Sequence, residues 1–103
     1  MNWIAVGKLE DIPRQGSRVV NTSNGAIAVF RSLDDELFAL DNRCPHKGGP
    51  LSEGIVHGKR VTCPLHNWTI DLETGSAVAP DVGCAHRHEV KMENGKVLVE
   101  IKA

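Results

Sequence analysis

Two of the chain's three cysteines lie in one stretch, and a histidine closely follows each of them. Cys44 is followed by His46 and Cys63 by His66, with sixteen residues between His46 and Cys63. A thiolate and an imidazole this close together are donors that a loop can offer to a metal ion. The fold is therefore expected to bring two loops to one end of the molecule, which is the strongest constraint that the sequence places on it.

The cysteine count argues against a disulfide framework. Three is an odd number, and residues 1–13 lack the charged start and the apolar run of a secretory signal. The sequence also contains no run of about 18 apolar residues, the length that a transmembrane helix needs. We therefore expect reduced or metal-bound thiols in a cytoplasmic protein.

The remaining composition is that of an ordinary globular protein. Of the 103 residues, 41% are hydrophobic and 24% are charged, and the net charge is −1. Basic and acidic residues are spread along the chain, so a phosphate backbone would find no basic surface. We expect a single domain over residues 1–103 that binds neither nucleic acid nor a membrane.

The fold is expected to be all-β, because short apolar or β-branched segments alternate with turn signals and no window shows a 3.6-residue period. Asn24-Gly25 and Asn94-Gly95 are hairpin dipeptides, since both central positions of a type I′ turn need a positive φ. The predicted loops 41–52 and 64–67 flank a strand and can converge at one end. The predicted strands are 3–7, 17–20, 26–31, 36–40, 59–63, 88–92 and 96–101.

Two kinds of metal centre suit the four ligands. Zinc takes two Cys and two His in a closed tetrahedral site, but common zinc modules pair Cys with Cys and His with His. Here each loop offers Cys and then His, an order that suits a binuclear cluster with both thiolates on one iron and both imidazoles on the other. Gly48-Gly49 can bring backbone close to such a cluster, while Pro45, Pro50 and Pro64 stiffen the loops.

The stretch CPHKGGPL…CPLHNWTIDLETG resembles the Rieske [2Fe–2S] motif, C-x-H followed by C-x-x-H, and the likeness covers nearly the whole chain. The resemblance implies an antiparallel β sandwich with a cluster-binding loop subdomain at about residues 42–71. It also implies that Cys44 and Cys63 ligate the buried iron of one Rieske-type [2Fe–2S] cluster, and that His46 and His66 ligate the exposed iron. The chain would then transfer electrons without catalytic residues of its own.

Respiratory members of that family carry an extra cysteine in each cluster loop, where this chain has Gly49 and Leu65. They also supply serine and tyrosine hydroxyls to the cluster, whereas here the serine position is Trp68 and tyrosine is absent. Hydrogen bonds to sulfur stabilise the reduced state, so their absence lowers the potential. We expect a reduction potential near the low end of the roughly −150 to +300 mV span of His-ligated clusters.

Within the family, three stretches are most similar to the small subunit of assimilatory NAD(P)H-dependent nitrite reductase. They are CPLHNWTIDLETG, GCAHRHEVKMENGKVLV and the opening WIAVGKLEDIPRQGSRVV. This resemblance implies a large partner subunit that carries flavin, sirohaem and a [4Fe–4S] cluster, binds NAD(P)H and reduces nitrite to ammonia. The alternatives are a soluble Rieske ferredoxin that feeds a ring-hydroxylating dioxygenase, and a structural zinc-binding module without redox activity.

The other polar residues that could be taken for functional groups are expected to have structural roles. Cys84, His86 and His88 would share one face of a strand. We expect a buried or half-buried cysteine followed by solvated polar residues there, rather than a second metal site. His57 is predicted to be a turn residue, and the DLETG segment at 71–75 is predicted to form a tight turn.

Overall fold

The structure, a computed structural model, describes residues 2–23, 25–44, 49–64, 68–78 and 82–101. Within these ranges the chain is a β protein with two short 3₁₀ segments, Leu9–Asp11 and Leu51–Glu53, and no helix that is long and apolar enough to cross a bilayer. The all-β prediction is confirmed. The strands are β1 (Asn2–Lys8), β2 (Gly16–Thr22), β3 (Gly25–Arg31), β4 (Leu37–Asp41), β5 (Ile55–His57), β6 (Arg60–Thr62), β7 (Thr69–Asp71), β8 (Arg87–His88), β9 (Val90–Glu93) and β10 (Lys96–Ile101).

These strands form three antiparallel sheets. The terminal sheet has the order β1-β10-β9, the central sheet β2-β3-β4-β8, and the small sheet β5-β6-β7. The predicted Asn94-Gly95 hairpin joins β9 to β10, with φ values of 54° and 80° that suit a type I′ turn. In the other predicted hairpin Asn24 lies outside the described residues, while Gly25 has a φ of 114° and pairs with Thr22.

The central sheet is a middle layer, and β3 is buried on both of its faces. Ile27 and Val29 pack into a first core with residues of β1 and β10, whereas Ala28 and Phe30 pack into a second core with residues of the small sheet. All four side chains are at most 2% exposed. Because successive side chains of a strand point to opposite faces, one short apolar run serves two cores. The predicted sandwich is confirmed.

The second core contains both motif cysteines. Cys44 and Cys63 are packed with Leu51 of the second 3₁₀ segment, Val61 of β6 and Ile70 of β7. The small sheet therefore covers one face of the central sheet; the first loop follows β4 of the central sheet, and the second connects β6 to β7 of the small sheet. This packing positions the candidate site.

Two local predictions differ from the structure. The short strands β5 and β7 on either side of the predicted strand 59–63 were not predicted. The predicted strand 88–92 is divided, because β8 pairs with β4 in the central sheet while β9 pairs with β10 in the terminal sheet. The chain therefore passes from one layer to the next at Glu89.

Candidate metal centre

The first loop (residues 42–52) is closed by two hydrogen bonds. In the inner one, the Cys44 N–H donates to the Gly49 carbonyl at 2.7 Å; in the outer one, the Ser52 N–H donates to Asn42 Oδ1 at 2.8 Å. The Ser17 hydroxyl on β2 donates to the Ser52 carbonyl at 2.8 Å, which ties the loop to the central sheet. Cys44 is 2% exposed. The loop thus buries its thiol while it is held from both ends.

The second loop (residues 63–68) continues the β6–β7 hairpin. The Cys63 N–H donates to the Trp68 carbonyl at 2.6 Å, and Thr62 and Thr69 pair directly below it in the ladder. The two threonine hydroxyls are 3.2 Å apart, and His57 Nε2 lies 2.8 Å from Thr62 Oγ1. Cys63 is fully buried. Here the loop is supported by regular strand pairing.

The two cysteines hold equivalent places. In each loop the cysteine N–H bonds to the carbonyl five residues later in the chain. Just after the first loop, the chain approaches the strand that leads to the second at Gly54, because a Cβ built there would lie 2.4 Å from the Thr62 carbonyl oxygen and 3.1 Å from that of Leu51. A side chain at Gly54 would push the end of the first loop away from the strand that leads to Cys63.

The chemistry of this pair suits iron. Cys44, Cys63 and Cys84 are all thiols in the structure. Two thiols that are buried in one apolar core, on two separate loops, offer soft sulfur donors that are shielded from water. A thiolate at such a place needs compensating positive charge, which a bound metal supplies.

The two predicted histidine ligands, His46 and His66, lie outside the described residues, as do the other members of 45–48 and 65–67. In the chain, each histidine falls between the two residues that close its loop. Their assignment as iron ligands stays a prediction.

The prediction for Cys84 and the histidines after it is wrong in part. Cys84 is exposed rather than buried, while His88 is only 8% exposed and its Nε2 lies 2.7 Å from Asp41 Oδ1. The exposed His86 meets the His88 ring edge to face at 4.8 Å, and its carbonyl accepts the Asp41 N–H at 2.9 Å. These contacts anchor the base of the first loop to β8. Within the described ranges, no three His, Cys, Asp or Glu side chains are grouped to hold a metal ion.

Two further predictions are confirmed. His57 immediately precedes Gly58, whose φ of 58° makes the turn between β5 and β6. The DLETG turn is closed by the Gly75 N–H, which donates to the Asp71 carbonyl at 2.7 Å. Trp68 is half-buried against the second core.

Residues 2–92 match the family model of the Rieske [2Fe-2S] domain. The chain belongs to the Rieske family. It therefore holds one Rieske-type [2Fe–2S] cluster, and the two buried thiols described above fit the half of the donor set that sulfur provides. The zinc alternative is wrong.

The similar proteins include members of two functional groups. The ferredoxin component of the naphthalene 1,2-dioxygenase/salicylate 5-hydroxylase systems of Ralstonia sp is 33% identical over 102 residues, which are 98% of this chain and 97% of that protein. The ferredoxin of carbazole 1,9a-dioxygenase from Nocardioides aromaticivorans IC177 has a TM-score of 0.90 at 24% identity and covers 99% of this chain and 100% of that one. A Mycobacterium tuberculosis chain assigned as an NADH-dependent nitrite reductase small subunit has a TM-score of 0.89 at 22% identity, and the match covers 99% of this chain and 96% of that one. At these identities the structural likeness shows a shared fold.

Sequence reasoning missed the residues that hold the loops in place. Asn42, Ser52 and Gly54 belong to no periodic pattern, and their partners lie elsewhere in the chain. The available signal was the chemistry of Asn42, since asparagine in a loop commonly accepts a hydrogen bond from a backbone N–H. Nothing in the sequence indicates which N–H it would accept.

Proposed function

We propose that Cys44 and Cys63 ligate the inner iron of the cluster and that His46 and His66 ligate the outer iron. The burial of both thiols in matched loops supports the sulfur ligands, and the C-x-H and C-x-x-H spacing supports the histidines. When bound, the cluster supplies the transfer of single electrons. The chain's own residues keep the thiols away from water and close the loops around them.

The ligand set is tested by single substitutions in protein purified anaerobically. Cys44→Ser and Cys63→Ser should lose most of their iron and acid-labile sulfide, and with them the rhombic EPR signal of the dithionite-reduced protein. The control is Cys84→Ser, which should keep both, because Cys84 is exposed and outside the loops. Serine variants of Cys44 or Cys63 with full iron content would overturn the assignment.

We infer further that the chain is the electron-transfer small subunit of an NAD(P)H-dependent nitrite reductase, whose large subunit reduces nitrite to ammonia. One observation carries this proposal: the two most distinctive stretches, CPLHNWTIDLETG and GCAHRHEVKMENGKVLV, meet where the first ends and the second begins. The Ala85 N–H donates to the Gly75 carbonyl at 2.7 Å, and a Cβ on Gly75 would lie 2.3 Å from the Ala85 oxygen. The two stretches that resemble the subunit are therefore in backbone contact at Gly75 and Ala85.

The second candidate is a soluble ferredoxin that feeds a ring-hydroxylating dioxygenase. Its support is the 33% identity to the Ralstonia sp ferredoxin component, which extends over almost the full length of both chains. The two candidates share the cluster and differ in the partner.

The partner is identified by reconstitution. The tagged chain is purified from its native cells grown on nitrate, and the large partner is examined for sirohaem absorbance and for NAD(P)H oxidation that depends on nitrite. We expect a stable complex whose nitrite-dependent rate falls when this chain is removed and returns when it is added back. A monomer that accepts electrons from a small flavoprotein reductase and drives hydroxylation of an aromatic ring would favour the ferredoxin instead.

The reduction potential provides a further prediction. Trp68, which stands at the serine position, is half-buried against the core, and its side chain has no hydroxyl to donate to sulfur. Protein-film voltammetry should therefore place the midpoint near the low end of the roughly −150 to +300 mV span for His-ligated clusters. A midpoint in the upper half of that span would show that other donors replace the missing hydroxyls.

A further inference from the structure

The first loop is joined across its base by one side chain, that of Asn42. Asn42 follows β4 directly, and its Oδ1 accepts the Ser52 N–H at 2.8 Å from the far end of the loop. Cys44 lies two residues after Asn42 in the chain, and Gly49, which accepts the Cys44 N–H, lies three residues before Ser52. The Asn42 contact is therefore the next support outward from the Cys44–Gly49 hydrogen bond.

Both ends of this contact are themselves fixed to the central sheet. The Asn42 N–H donates to the Ala26 carbonyl at the start of β3, at 2.9 Å, and the Ser52 carbonyl accepts from the Ser17 hydroxyl of β2 at 2.8 Å. The Asn42 side chain thus connects two anchored points. A rigid connection of this kind restricts the opening of the loop between them.

Strand pairing does not replace this contact. β4 ends at Asp41, and the far side of the loop is the 3₁₀ segment Leu51–Glu53, so the described residues at the base of this loop form no ladder. At the base of the second loop, the place of the Asn42–Ser52 contact is taken by the backbone pairing of Thr62 in β6 with Thr69 in β7. Loss of one side-chain acceptor should therefore open the first loop far more than the second.

We propose that Asn42 is a positioning residue, which holds the Cys44 thiol in place by clamping the two ends of the first loop. The inference rests on the proposed role of Cys44 as an iron ligand. Asn42 touches no reacting atom and acts only through the loop. The acceptor oxygen is the essential feature, so aspartate should replace asparagine while alanine should not.

The test uses the cluster-containing full chain and compares Asn42→Ala with Asn42→Asp. Hydrogen exchange, followed by mass spectrometry, is measured on peptides that cover residues 42–54 and 60–71. In Asn42→Ala we expect exchange about tenfold faster in the first peptide and unchanged in the second, because one part-buried hydrogen bond is lost locally. Asn42→Asp should restore the wild-type exchange rate in the first peptide.

The cluster itself provides the second readout. Asn42→Ala should broaden or shift the g values of the reduced cluster and release iron to a chelator about tenfold faster, while Asn42→Asp keeps the wild-type line shape. A change in charge alone would shift the midpoint potential of the aspartate variant without changing its exchange rates. The line shape and the exchange rates together therefore report the clamp.

Three results would overturn the proposal. Equal acceleration of both peptides would mean general destabilisation, unchanged exchange in both would mean that the clamp is dispensable, and native g values in Asn42→Ala would mean that Cys44 is placed by other contacts. Failure of the proposed ligand set has a different signature. Cys44→Ser would then keep its iron and its EPR signal, while the comparison of the two peptides would be unaffected.

Discussion

The two cysteine loops reach the same inner geometry by different means. In both, the cysteine N–H bonds to a carbonyl five residues later, and in both the thiol is buried. The second loop extends a ladder that continues below Cys63 through Thr62 and Thr69. The first loop instead depends on the Asn42 clamp, on the Ser17 hydroxyl and on the pairing of Asp41 with His88.

Because of this difference, a single side-chain substitution can loosen the first loop more easily than the second. A ladder distributes its stability over several backbone hydrogen bonds, which no single side-chain substitution removes. A clamp made of side chains is lost when one oxygen atom is lost. We therefore expect mutations to discriminate sharply between two loops that each bury one cysteine.

The largest effect is expected at Gly54, where the chain after the first loop approaches the strand that leads to the second. Its φ of −77° suits any residue, so Gly54→Ala acts through clashes of the new Cβ, the closest of them with the Thr62 carbonyl oxygen at 2.4 Å. We expect the free energy of unfolding to fall by about 3 kcal/mol, and the purified variant to contain less iron than the wild type. Urea denaturation and iron analysis measure the two effects.

Gly58→Ala is the matched control, since a Cβ there meets open space and the φ of 58° costs only about 1 kcal/mol of backbone strain. If the two alanine variants proved equally stable, the close approach at Gly54 would not be what brings the loops together.

Ser17→Ala should have an intermediate effect confined to the first loop. It removes the donor to the Ser52 carbonyl and leaves that half-buried acceptor with one bond fewer. We expect about 1 kcal/mol of destabilisation and faster hydrogen exchange in residues 42–54. The exposed Ser23→Ala serves as the control, and an effect of equal size there would remove the argument for an anchored first loop.

Thr62→Val should have a smaller effect on the second loop. Valine has nearly the shape of threonine and suits a strand, so the backbone ladder stays while two side-chain contacts are lost, to His57 and to Thr69. We expect about 0.5 kcal/mol and unchanged exchange in residues 60–71. If exchange in residues 60–71 rose as much as Ser17→Ala raises it in residues 42–54, the backbone ladder would not be what holds the second loop.

The smallest effect is expected at Asp35, in the β3–β4 turn. The Arg31 and Arg14 side chains that bond to Asp35 hold the pKa of its carboxyl below its ordinary value of 3.8. The exposed pairs therefore contribute stability above about pH 3.8, and this contribution is lost as the pH falls through the lower folded-state pKa.

Asp35→Asn keeps a residue that tolerates the φ of 65° and removes only the charge. We expect a slightly flatter dependence of the thermal midpoint on pH between about 4 and 2, and unchanged hydrogen exchange in both loops. A change in either loop would show that the turn is coupled to the centre.

The predicted parts of the fold are those that neighbouring residues specify. The Asn94-Gly95 turn and the alternation of Val97 and Val99 on β10 depend on the conformational preferences of adjacent residues, and both are present. The contacts that escaped prediction join distant positions, such as His88 with Asp41, which are 47 residues apart. A histidine in a polar segment carries no local sign that its partner will be an aspartate at the end of another strand.

By itself, the sequence determined the chemistry of the centre and the class of the fold. Thiols and imidazoles are rare donors, and their spacing limits the metals they suit, while hairpin dipeptides and two-residue alternation limit the backbone. How the two cysteines are supported depends on the tertiary structure. The clamp at Asn42, the close approach at Gly54 and the two-faced burial of β3 arise only when sheets pack, because hydrogen bonding and exclusion of water act between atoms that folding brings together.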